Sequence, residues 1–115
     1  MKLQQPDARS RADLQADLES RNRERISTAL ISAALNDPDR EWIETLIVRF
    51  IADEDPWVRG VAALAAGHTA RLHGDLDDRI APLIQKLLED PETSGKARDA
   101  LDDIEMFLGR RFHAS

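Results

Sequence analysis

The chain has no cysteine and no tyrosine, and its aromatic content is only 4% of 115 residues. Without thiols there is no disulfide framework, no thiolate nucleophile and no cysteine-type zinc site. A reducing environment fits, and the expected location is cytoplasmic. Scarce aromatics also count against a β-sandwich, because strands draw on β-branched and aromatic side chains whereas helices draw on Ala, Leu, Glu, Arg and Lys. No apolar run approaches the roughly 20 residues of a membrane span. The polar start, Met1 to Arg11, lacks the apolar stretch of a secretory signal. All 5 glycines stand singly, so no phosphate-binding loop, dinucleotide fingerprint or nucleophile elbow is present.

What is abundant is charge. Charged residues make up 33% of the chain and the net charge is -6. Residues 1 to 40 hold 7 basic and 7 acidic side chains, so the acidic excess lies wholly after Arg40. Such a surface repels nucleic acid, whose binding needs clustered Lys and Arg, and attracts a basic protein. The length suits one folding unit. The expected organisation is a frayed segment over 1–10 followed by a single helical domain over 11–115.

Three Asp-Pro steps, at Asp37-Pro38, Asp55-Pro56 and Asp90-Pro91, punctuate the sequence. Proline suits the first helical turn and pushes the preceding residue out of helical geometry, so each step marks a helix start or the turn before one. Between them run helical periodicities. From Asp77 to Glu89 the residues Ile80, Leu83, Ile84, Leu87 and Leu88 form one apolar stripe. Lys96 to Leu108 repeats it with Ala97, Ala100, Leu101, Ile104, Phe107 and Leu108, ending at Gly109. Arg40 to Ala52 and Trp57 to His73 give a second hairpin. In its second helix Val58, Val61, Ala62, Ala65, Thr69 and Leu72 are the expected buried face. Gly60 and Gly67 lie on one flank, where a close neighbour would offset their cost of about 1 kcal/mol each inside a helix. Asp13 to Arg21 and Arg25 to Leu35 form a weaker first hairpin, as a terminal repeat should.

Asp55-Pro56-Trp57-Val58-Arg59, followed by Ala62 and Leu64, resembles the second-helix signature of HEAT repeats. Ile80, Leu83, Leu87 and Leu88 resemble the first helix of the next unit, and Ala97-Arg98-Asp99-Ala100-Leu101 the second helix again. The resemblance implies an all-α fold, a short α-solenoid of about three antiparallel hairpins in a right-handed stack. The stretches Gly67 to His73 and Ala100 to Phe107 are similar to small HEAT-like immunity proteins of contact-dependent growth inhibition and related polymorphic toxin systems. That likeness implies a non-enzymatic protein that binds a cognate toxin domain and occludes its active site. A HEAT-like scaffold or adaptor is the alternative.

The residues themselves offer no catalytic constellation. His68 and His73 are five apart, roughly 140° round a helix rather than side by side as in a zinc helix, and His113 is distant in sequence; no metal and no cofactor is expected. Asp99, Asp102, Asp103 and Met106 lie opposite the apolar stripe of their helix, with Glu105 close by, and form the expected partner-binding face. Clustered acids would suit a basic partner, for instance a nuclease domain. Trp57, Arg59 and Arg71 are the second candidate surface. By spacing, Trp42 and Trp57 read as core, and the Arg59 position suits a bridge between repeats.

Overall fold

A computed structural model describes residues 10–109, and the calls on the segment 1–10 before Ser10 and on His113 lie outside them. Within that span the chain is all-helical, without strands: α1 (Arg11–Leu18), α2 (Arg23–Asn36), α3 (Arg40–Phe50), α4 (Pro56–His73), α5 (Ile80–Leu87) and α6 (Ser94–Leu108). They stack as three hairpins, α1/α2, α3/α4 and α5/α6, a short solenoid-like array.

Local chemistry sets the helix ends. Ser10, Asn22, Asp39 and Asp55 cap α1 to α4, each side-chain oxygen accepting an amide hydrogen from the first turn. Pro56 occupies the first turn of α4, as its step predicts. Gly74 and Gly109 close α4 and α6 in the left-handed conformation, both with φ 69°. α5 and α6 have no side-chain hydrogen bond at their N-caps, Arg79 and Thr93. Thr93, fully buried, instead donates its hydroxyl to the Leu87 carbonyl at 2.7 Å and so pins the turn between them.

One core runs through all three hairpins, from Leu14 and Leu18 through Leu30, Ile47 and Val58 to Ile84, Leu101 and Ile104. α4 is its centre, touching α2, α3, α5 and α6. A residue on α4 is therefore buried on almost every side, and alanines and glycines are the side chains that fit: Ala62, Ala63, Ala65 and Ala66 have no exposed surface. Gly67 sits where a Cβ would lie 3.2 Å from Asp103 Oδ2 and 3.5 Å from the Ala100 backbone. Gly60 faces Lys96 in the same way, so α4 and α6 run parallel with a constant offset along their seam.

Arginines fasten each repeat to the next. Arg11 pairs with Asp37 at 3.1 Å, Arg23 with Asp55 at 2.7 Å, Arg40 with Asp75 at 2.7 Å and Arg59 with Asp90 at 3.2 Å. The aspartate of every Asp-Pro step thus receives a guanidinium from the preceding repeat. Mostly exposed pairs contribute about 0 to 1 kcal/mol each, so they set register more than stability. Between α3 and α5, the buried carboxylate of Glu44 accepts the Asp77 amide at 2.8 Å and lies 3.3 Å from Arg40 Nε.

Candidate partner interface

The outward surface of α4 is a single stripe: Trp57, Leu64, His68, Arg71 and Leu72. At 100° per residue these positions fall within about 100° of one another, and most of the other positions are buried against neighbouring helices. Two expectations are corrected here. Trp57 is 46% exposed and Leu72 48%, neither of them core. Trp57 stands in the first turn of α4 and Leu72 in the last, both on the outward stripe. Trp42 is half-buried against the core, with the Arg11 guanidinium 4.1 Å from its ring centroid.

Alongside lies α6. Asp99, Asp102 and Met106 are exposed, Met106 at 74%, as their position opposite the apolar stripe dictates. Asp103 departs from that reading and is half-buried against Gly67, because it belongs to the flank that α4 covers. Glu105 is half-buried also. Phe107, expected inside, is 44% exposed. It lies one turn beyond Asp103 on the same flank, level with Arg71 in the parallel register.

The two candidate surfaces are therefore adjacent. At one end of the α4/α6 seam, Lys96 Nζ sits 3.8 Å from the centroid of the Trp57 ring, and the Arg23 guanidinium lies 6.0 Å from it. At the other end Arg71 Nη2 lies 3.1 Å from His68 Nδ1. Burial, reinforced by Arg71 and opposed by Asp103, lowers the His68 pKa below the ordinary imidazole value, so the ring is neutral and its Nδ1 accepts from Arg71. Arg59 turns inward instead. It donates to the Asp53 and Glu54 carbonyls at 2.9 and 3.1 Å and to Asp90, which makes it the bridge between repeats that its position suggested.

Lys96 is the residue that sequence reasoning missed. Its signal was Gly60, whose place on the flank predicted a close neighbour without showing that the neighbour is a lysine stem. A cleft of about 600 Å³ opens elsewhere, between the α1/α2 and α3/α4 turns, over Leu18, Ile26, Phe50 and Val58. Its rim is crossed by the Arg49 to Glu19 and Arg23 to Asp55 pairs. Among the described residues no group of three or more His, Asp or Glu is placed to hold a metal ion, and no helix is long and apolar enough to cross a membrane.

These features define a small helical-stack protein with a mixed-charge surface around exposed aromatic and apolar side chains. The chain is similar to a protein in the crystal structure of a CDI complex from Cupriavidus taiwanensis LMG 19424, with 32% identity and a TM-score of 0.77 over 93% of this chain and 97% of that one. It belongs to the same family as that protein. No protein-family model and no curated protein matches the sequence.

Proposed function

We propose that this chain is an immunity protein of contact-dependent growth inhibition, binding a cognate toxin domain and blocking its active site without catalysing a reaction. The observation that carries this reading is the near full-length likeness to a chain of a CDI complex. The residue-level resemblance to small HEAT-like immunity proteins supports it. The interface is the outward surface of the α4/α6 seam. Asp99 and Asp102, with Asp103 and Glu105 behind them, supply the acidic part, Met106 and Phe107 the apolar part, and Trp57 and Arg71 the adjoining ridge. Arg59 serves it indirectly by holding α4 to the turn before α6.

A basic active-site cleft is the complementary partner surface, and a nuclease domain has one. Clustered acids then accelerate encounter, and the exposed apolar side chains hold the complex once formed. Changing both Asp99 and Asp102 to Lys tests this, because both are exposed and the fold is spared. Stopped-flow mixing with the domain encoded immediately upstream should show association slowed about tenfold or more, with a shallower dependence on salt. An unchanged rate would remove the acidic face from the interface.

A further inference from the structure

The Trp57 end of the seam is built differently from the acidic end. Lys96 crosses α4 over Gly60, where an added Cβ would come within 2.7 Å of Lys96 Cδ. Only a glycine lets the stem lie that way. The stem carries the ammonium to 3.8 Å from the Trp57 ring centroid, with the Arg23 guanidinium 6.0 Å from the same centroid. A glycine inside a helix costs stability relative to alanine, and here it orders a half-buried lysine and an exposed tryptophan against each other. Among the described residues Lys96 makes no ion pair. Its three donors therefore project beside an apolar ring, with no ion-paired carboxylate among the described residues to receive them.

We infer that Gly60, Trp57 and Lys96 form a preordered receptor for a carboxylate flanked by an apolar side chain on the toxin domain. This deepens the proposed function and rests on it. Lys96 supplies the counter-charge, Trp57 the apolar platform, and Gly60 the prior ordering that spares entropy on binding. The seam then has polarity, a cation with an aromatic ring at one end and acids at the other. The partner surface would carry the reverse order, an acid beside its basic cleft, which fixes how the two proteins are oriented.

The experiment is a binding titration of the full chain with the domain encoded immediately upstream, comparing the parent with Trp57→Ala, Lys96→Gln, Lys96→Glu and Gly60→Ala. Trp57→Ala should weaken binding about tenfold or more, the size expected of a central aromatic anchor. Lys96→Glu should weaken it more than Lys96→Gln, because it would face a carboxylate. Gly60→Ala should keep or raise the melting temperature while weakening binding, since it displaces the Lys96 stem and favours the helix. Parent binding that Lys96→Glu leaves unchanged or tightens would overturn the receptor and leave the immunity reading standing. No binding by the parent would overturn both.

Discussion

His68 shows how one residue couples the interface to the solvent. Its neutral ring accepts from Arg71, and partial burial lowers its pKa. A group whose folded pKa is depressed contributes stability above its unfolded value and loses it as pH falls, because the unfolded chain takes up the proton first. For imidazole the loss begins near pH 6.5. Melting temperatures measured at about pH 7.5 and about pH 5.5 should therefore fall further for the parent than for His68→Gln, the linkage being confined to that window. An identical fall in both proteins would show that His68 ionises freely. Asp77 is held to about 2 by hydrogen bonds from Arg79, so its contribution, present above the ordinary 3.8, is lost as pH falls towards about 2.

Helices were the legible scale. The stripe of α6 is visible in the spacing of Ala97, Leu101 and Ile104, and all three are fully buried. Replacing Leu101 by Ala should cost about 2 to 5 kcal/mol by leaving a cavity, read as a shift in denaturant midpoint at constant slope. A cost below about 1 kcal/mol would mean that the α5/α6 hairpin collapses around the gap. The Asp-Pro steps and the glycine at the end of α6 were likewise readable, because each acts within a few residues of itself. Trp57 and Phe107 were not. Periodicity tells which residues share a face, but the side on which a neighbouring helix ends is fixed by the stack. For the same reason the arginine bridges were hidden, since their partners lie 26 and 32 residues away for Arg11 and Arg23. Position 59 was foreseen as a bridge only because it matched a repeat signature.

As a whole the molecule is three hairpins sharing one core, with α4 at the centre and its remaining surface turned outward beside α6. Small side chains on α4 allow the close packing and leave its few large ones, Trp57, Leu64, His68, Arg71 and Leu72, as the natural contact ridge. The acids noted in the sequence divide by position. Those at helix starts cap amides and receive arginines from the previous repeat, whereas Asp99 and Asp102 face outward on α6. The candidate interface was thus half legible: its acidic part followed from helix geometry, and its aromatic and cationic part needed the parallel register of α4 and α6. Recognition of a toxin domain by this surface is what we propose. Its most direct test is the equilibrium affinity of the purified chain for the domain encoded immediately upstream, measured at low and high salt. A tight complex is expected, with Kd of about nanomolar order as for specific interfaces of standard size, weakening as salt rises. No complex at either salt concentration would contradict it.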